Sequence, residues 1–240
     1  MNRADGRKFN ELRPVKLTPH FVKFAEGSVL IECGDTMVLC CASVEERVPP
    51  HVKPGCGWVT AEYSMLPRAN RQRSRRDVDK LKLSGRSAEI QRLIGRSLRA
   101  AIDMELLGER TITIDCDVIQ GAGGTRTASV TGGVIAMALA CNWLVEEGYI
   151  GRSPIKHFVS GIRAGIVDDE ALMDLQYSED SRAQVDLNCV MNELGEIIAL
   201  QGTGEGRAFT PREQQELVEL CAKGNRELIR MQKDLLGALR

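Results

Sequence analysis

Two short turns in this sequence could each grip an anion. Ser84-Gly85-Arg86-Ser87 and Gly123-Gly124-Thr125-Arg126-Thr127 both stand where a helical pattern begins. A helix N-terminus offers unpaired N–H groups and a partial positive charge. Glycine lets the backbone close in on a ligand, and arginine adds a planar fork that matches phosphate oxygens. Either turn alone is equally consistent with a plain helix cap, because glycine is common at helix ends. Together they could converge on a single phosphate. A Walker-type loop does not fit, since that pattern requires Gly-Lys followed by Ser or Thr.

Carboxylates come next. The stretch YSEDSRAQVDLN at 177–188 carries Asp180 and Asp186. On one continuous strand, six positions span about 20 Å, too far for both to hold one metal ion. Either the two are unrelated or the chain folds back around 179–182, where Ser181 and Arg182 interrupt the apolar pattern. Asp186 then points to the polar face, with Val185, Leu187 and Cys189 on the other. Taken alone, such acidic residues at a hairpin end are more often solvated than catalytic.

A third cluster is basic: Arg68, Arg71, Arg73, Arg75 and Arg76 fall within RANRQRSRR at 68–76, whose single apolar residue is Ala69. Such clusters neutralise backbone phosphates and gain affinity by releasing counterions. No aromatic residue is interleaved, so base stacking within this loop is not indicated. A merely solvated loop has the same composition.

The elements that must position these residues follow from pattern. Segments 28–33 and 37–44 are β-branched and apolar around Gly34-Asp35, as in a hairpin, and 57–65 reads as a third strand. A helical stripe of Ile90, Leu93, Ile94, Leu98, Ala101, Ile102 and Leu106 predicts one helix over 84–107, stopped by Gly108. Strict alternation of Ile112, Ile114, Cys116 and Val118 predicts a strand. The glycine turn at 121–127 opens a second helix ending near Gly148, apolar on most sides and so expected between layers of the core. Strands are predicted at 158–167, 171–177, 183–191 and 197–201. Thr210-Pro211-Arg212-Glu213 is a capping box with proline at the first helical position. The helix it starts is expected to bend or break at Gly224-Asn225. Helices are too few and too clustered for a doubly wound sheet, so the expectation is a single α+β domain over 1–240.

Composition sets bounds. Of 240 residues, 43 % are apolar and 27 % charged, with a net charge of -1. That suffices for a real core and fits one large domain or two small ones. It gives no global attraction for nucleic acid, so such affinity must come from local clustering. Eight cysteines, mostly inside apolar stretches, form no C-x-x-C pair, and only three histidines occur. Buried reduced thiols are expected rather than a zinc site. The segment MNRADGRKFN is polar, without the apolar core of a signal peptide, and no apolar run approaches about 18 residues. These features point to a cytoplasmic chain with no membrane contact.

Several segments carry a resemblance in their order and spacing: Arg3-Ala4-Asp5-Gly6-Arg7, Glu11-Leu12-Arg13-Pro14, GWVTAEYSMLPRA at 57–69, SGRSAEIQRLIGRSLRA at 84–100, IDCDVIQGAGGTRTAS at 114–129, EDSRAQVDLN at 179–188 and QGTGEG at 201–206. The chain resembles, nearly end to end, the ribonuclease PH family of phosphorolytic 3′-exoribonucleases, also called tRNA nucleotidyltransferases. The resemblance implies a ribonuclease PH-type α+β fold with mixed sheets, two central helices and a C-terminal helical segment. It implies phosphate-binding roles for Arg86, Gly124, Thr125 and Arg126. It makes Asp180 and Asp186 the catalytic, metal-binding pair, with Mg²⁺ as cofactor and inorganic phosphate as co-substrate. Arg68, Arg73 and Arg76 match positions that contact RNA. The implied substrates are tRNA precursors and other RNAs with unpaired 3′ ends, and the implied assembly is a homo-hexamer, a trimer of dimers. Two departures are Gln176, where many relatives have Asp or Cys, and Asn70-Arg71-Gln72 in place of a more usual Thr-His-Thr. They bear on substrate preference and not on the phosphate turns or the aspartates. A non-catalytic ring subunit and a hydrolytic nuclease are the competing readings. The first conflicts with the presence of all four charged site residues, and the second leaves the two anion turns without a purpose.

Overall fold

A computed structural model describes residues 3–76 and 84–237. Its α+β architecture contains two mixed-composition layers of strand and five helices among those residues. The first sheet holds β1 (Val15–Pro19), β2 (Gly27–Cys33), β3 (Thr36–Glu45), β4 (Trp58–Met65) and β5 (Thr111–Gln120), in the order β1-β2-β3-β5-β4. All neighbours are antiparallel except β4 and β5, which run parallel. The second sheet is antiparallel throughout: β6 (Val159–Val167), β7 (Glu170–Met173), β8 (Val185–Asn192) and β9 (Ile197–Gly204), in the order β7-β6-β8-β9.

The expected hairpin forms, with Gly34 at φ 53° in its turn. The β5 alternation also holds: Ile112, Ile114, Cys116 and Val118 are all buried. Strand β1 was not anticipated. Its burial is only partial, and its register comes from pairing with β2, which its own pattern does not announce.

The expected single helix over 84–107 is broken. Helix α1 spans Gly85–Ala101, and a one-turn helix α2 spans Met104–Leu107. Between them Ile102 is extended (φ -128°, ψ 151°) and bridges Ile155, while the Asp103 carboxylate caps α2 through the N–H groups of Glu105 and Leu106. The break shifts the stripe by one position, so that Leu107 is buried and Leu106 is not. Along its length α1 covers the free edge of β4. Arg99 donates to the Val59 carbonyl at 2.9 Å and Gln91 to the Ala61 carbonyl at 3.4 Å, satisfying an edge that would otherwise be open.

Helix α3 (Thr125–Glu146) is apolar all round and lies between the sheets, against β2, β3 and β6. By length and composition it could cross a membrane, but 83 % of its apolar window is buried in the fold. The segment expected as a strand at 171–177 divides into β7 and a one-turn helix α4 (Tyr177–Asp180). Helix α5 (Pro211–Leu236) begins with the expected capping box but runs unbroken through Gly224-Asn225. Gly224 serves close packing: a Cβ there would lie 2.8 Å from the Met173 sulfur and 3.0 Å from Ile162. Asn225 is buried, accepting from Ser160 Oγ at 2.7 Å. Six cysteines are buried and free, Cys41 and Cys56 being partly exposed. Burial pushes the Cys33 and Cys141 thiols up to about 12.

Candidate active site

The strand–turn–helix from β5 to α3 builds the first half of the site. Gly123 (φ 100°) and Gly124 (φ 67°) occupy backbone conformations that favour glycine. At Gly123 a Cβ would also lie 2.7 Å from the Leu175 carbonyl oxygen. The turn is held from below by Thr36, whose Oγ donates to the Gly123 carbonyl at 2.6 Å and accepts from the Ala122 N–H at 3.1 Å. Thr125 and Arg126 are thereby the first two residues of α3, with Thr125 Oγ1 2.8 Å from the Tyr63 hydroxyl.

Ser84 caps α1 by accepting from the Ser87 N–H at 3.0 Å, which leaves Arg86 exposed in the first turn. The two turns do approach one another. Burial raises the pKa of Tyr63, while the Thr125 hydrogen bond and the positive charges of Arg86 and Arg126 pull it back. Both positive charges therefore act on one hydroxyl. Arg126 Nη1 donates to Glu89 of α1 at 3.1 Å and to Gln201 of β9 at 3.2 Å.

The second half of the site lies on the face of the second sheet turned toward α3. The chain does fold back between the two aspartates, through the turn at Ser181 and Arg182 that follows α4. Asp180 and Asp186 consequently meet on one guanidinium, that of Arg163 in β6: Nε donates to Asp186 at 2.5 Å and Nη2 pairs with Asp180. Arg163 was not singled out in the sequence, although a signal existed. It is the one charged residue in the strand VSGIRAGIV, and a charge so placed needs a partner.

Register links the two halves. Arg163, Asn188 and Gln201 are partners across β6, β8 and β9. Asn188 donates to Asp186 at 3.3 Å, and Gln201 accepts from Arg126. The arginine of the glycine turn and the aspartate of β8 are thus separated by one pair of side chains.

An N-terminal arm without regular structure ties down both halves, and its residues had no role assigned from sequence. Arg13 grips Asp174 through Nη2 (2.7 Å) and Nε (3.0 Å) and donates from Nη1 to the Ala122 and Gly123 carbonyls. Arg3 forms a buried bidentate pair with Glu179 on α4. Burial alone would raise the Asp174 pKa, but Arg13 and Arg7 outweigh it and hold the carboxyl below the usual range.

The arginine loop is exposed at Arg68, Arg71, Arg73, Arg75 and Arg76, and it is anchored by Ala69, whose carbonyl accepts from the Gly121 N–H at 2.8 Å. That bond sets the loop beside the glycine turn. Between them lies a cavity of about 670 Å³, lined by Arg68, Asn70, Arg71, Gln72, Gly121 and Tyr177, among others.

Residues 11–141 match domain 1 of the 3′ exoribonuclease family, and residues 157–224 match its domain 2. Over 238 residues the chain is 52 % identical to ribonuclease PH of Moorella thermoacetica, covering 99 % of this chain and 95 % of that one. Rice Rrp46 superposes with a TM-score of 0.80 at 18 % identity, over 98 % of this chain and 100 % of that one. The Archaeoglobus fulgidus exosome with RNA bound to its active site gives 0.82 at 23 % identity, over 96 % of this chain and 92 % of that one. At such identities the two structures speak for the fold.

Proposed function

The chain belongs to the ribonuclease PH family of 3′ exoribonucleases, as a phosphorolytic nucleotidyltransferase, and we propose which of its residues perform the reaction. Arg86, Gly124, Thr125 and Arg126 hold the attacking phosphate; Asp180 and Asp186 serve the terminal linkage. The observation that carries this assignment is the contact chain Arg126–Gln201 and Asn188–Asp186 across paired strands, which sets the anion turns beside the carboxylates.

A phosphate oxygen attacks the last phosphodiester phosphorus, and the bond to the 3′-oxygen of the preceding nucleotide breaks. That oxygen leaves as a hydroxyl, taking the proton that the attacking hydrogen phosphate gives up, and the products are a nucleoside 5′-diphosphate and RNA shorter by one residue. One phosphate linkage replaces another, so the step also runs in reverse. Each like-charged pair at about 4 Å costs about 4 kcal/mol at an effective dielectric near 20. Arg86, Arg126 and the N–H groups opening α1 and α3 offset that repulsion and orient the nucleophile.

Magnesium suits the second half. Asp180 and Asp186 already converge on one cation, and Asn188 Oδ1 beside them is a buried oxygen without a hydrogen-bond partner. The two aspartates would hold the ion, phosphate oxygens and water completing its shell. When bound, Mg²⁺ neutralises charge on the transferring group. Arg163 aims the two carboxylates at a common point.

Arg68, Arg73 and Arg76 are read as RNA-backbone contacts, with tRNA precursors and other unpaired 3′ ends as substrates in the cytoplasm. The two family segments are read as one domain, because α3 of the first packs against β6 of the second. A homo-hexameric ring, a trimer of dimers, is carried over from the family, and the large apolar side chains exposed at Phe9, Phe21, Phe24, Leu194 and Ile197 are available for contacts between copies.

The test is product identification. Dialysed protein with Mg²⁺ should leave a short unstructured RNA intact, and millimolar-scale phosphate should start release of nucleoside diphosphates. Monophosphates formed without phosphate would establish hydrolysis. No release under any condition would favour the non-catalytic subunit.

A further inference from the structure

We infer that Tyr177 is a stacking platform for a base near the 3′ end of the bound RNA. The inference rests on the placement of the reacting linkage at Asp180 and Asp186.

Of the three tyrosines, two are committed elsewhere. Tyr63 is buried with its hydroxyl on Thr125, and Tyr149 packs on Trp143 at 5.5 Å between ring centroids. Tyr177 is 55 % exposed, and among the described residues no aromatic ring or cation lies over it. Its ring is free to receive a planar group at the rim of the site.

Its position is well defined. The Tyr177 N–H donates to the Ala122 carbonyl at 2.9 Å, which pins it to the glycine turn of the phosphate site. On α4, Tyr177 and Asp180 are three residues apart, a spacing that puts both side chains on one side of a helical turn. Tyr177 lines the cavity of about 670 Å³ together with residues of the arginine loop. That volume lies within the range of small-ligand pockets, about 300–1,000 Å³.

The rest of the lining has complementary chemistry. Arg68 and Arg71 offer positive charge for the RNA backbone, and Asn70 and Gln72 offer amide groups that can meet base edges. The arginine loop contains no aromatic residue of its own, and the fold brings one to it. Stacking on a tyrosine face tolerates every base, which suits an enzyme that removes successive nucleotides of differing sequence.

The experiment uses a short unstructured RNA carrying 2-aminopurine in its last two positions, whose fluorescence falls on stacking. Bound without phosphate, so that no turnover occurs, it should be quenched by the parent protein and by Tyr177→Phe. Quenching should be lost with Tyr177→Ala and with Tyr177→Leu, which keeps apolar bulk but has no π-face. In steady-state assays Tyr177→Ala should raise KM for RNA about tenfold, within the span reported for loss of one base–aromatic stack. Its kcat and its KM for phosphate should stay within about twofold of the parent. Circular dichroism confirms that the variants fold. Parent-like quenching and KM in Tyr177→Ala would overturn the inference, as would failure of Tyr177→Phe, which would transfer the role to the hydroxyl. A fall in kcat at unchanged KM would also overturn it, making Tyr177 a support for α4 instead. Failure of the parent itself to bind or trim RNA would strike the underlying site assignment, a result distinct from all of these.

Discussion

Arg3 and Glu179 lie 176 positions apart in the chain and meet in a buried bidentate pair, Nε to Oε1 and Nη2 to Oε2 at 2.7 Å each. The residue after Glu179 is Asp180, so this pair fixes the helical turn that presents one of the two carboxylates of the proposed site. Without Arg3 the buried Glu179 keeps only Arg7, 3.7 Å away, as a cationic partner, and loss of the bidentate pair costs about 3–5 kcal/mol. Arg3→Met should therefore lower Tm by roughly 6–20 °C for a chain of this size. The double variant Arg3→Met with Glu179→Met should recover part of that loss, because it removes both charges. Thermal denaturation of the single and double variants decides the point, and equal losses in all of them would place the stability elsewhere.

A pH dependence follows from Asp174. Burial pushes its pKa up, but the Arg13 guanidinium and its hydrogen bonds bring the net shift below the ordinary value. The unfolded chain then binds a proton more readily than the folded one. The pair's contribution is complete above the unfolded pKa of about 3.9 and is lost as pH falls through the lower folded value. Urea unfolding from pH 7 to pH 2 should show in the parent a plateau and then an acid limb that begins at about pH 4. In Asp174→Asn the limb should be flatter and stability at pH 7 lower; an unchanged limb would assign acid lability to other carboxylates.

Replacement of one carboxylate of the proposed site should separate chemistry from folding. Asp186→Asn keeps the shape of the side chain and leaves Arg163 paired with Asp180. The rate of phosphorolysis should fall on the order of 10²- to 10³-fold or more, as on loss of an electrostatic stabiliser. Circular dichroism and Tm should change little. Near-normal turnover in the folded variant would remove Asp186 from the site.

The arginine loop should act through charge. Replacing Arg68, Arg73 and Arg76 with alanine should weaken RNA binding with little dependence on sequence. Each lost contact to a single strand lowers the slope of log affinity against log salt by about 0.7, so the triple variant should lose about 2. Affinities at four or five salt concentrations measure this. Slopes equal to those of the parent would mean that RNA enters by another path.

Much of the fold was legible where neighbours along the chain decide the outcome. The alternation of β5, the hairpin at Gly34-Asp35 and the capping box at Thr210 all formed as expected, since each depends on side-chain period or on hydrogen bonds within a few residues. The same is true of the Gly123-Gly124 turn, where positive φ selects glycine. Features decided by distant segments were not legible. The stripe over 84–107 satisfies a continuous helix, yet Ile102 leaves the helix to pair with Ile155. Gly224-Asn225 looks like a break, yet β6 and β7 require close approach at the glycine and supply a partner for the asparagine.

The site divides along the same line. Residue types and local turns by themselves determined that two glycine-arginine helix starts, a carboxylate pair and a basic loop exist, and their order along the chain carried the family. Only the tertiary structure decided that Asp180 and Asp186 share Arg163, that Arg126 reaches Gln201, and that the arm from Arg3 to Arg13 locks both halves together. The physical reason is that a charge can be read from its own side chain, whereas its partner is chosen by which strands and turns the fold places within hydrogen-bond reach.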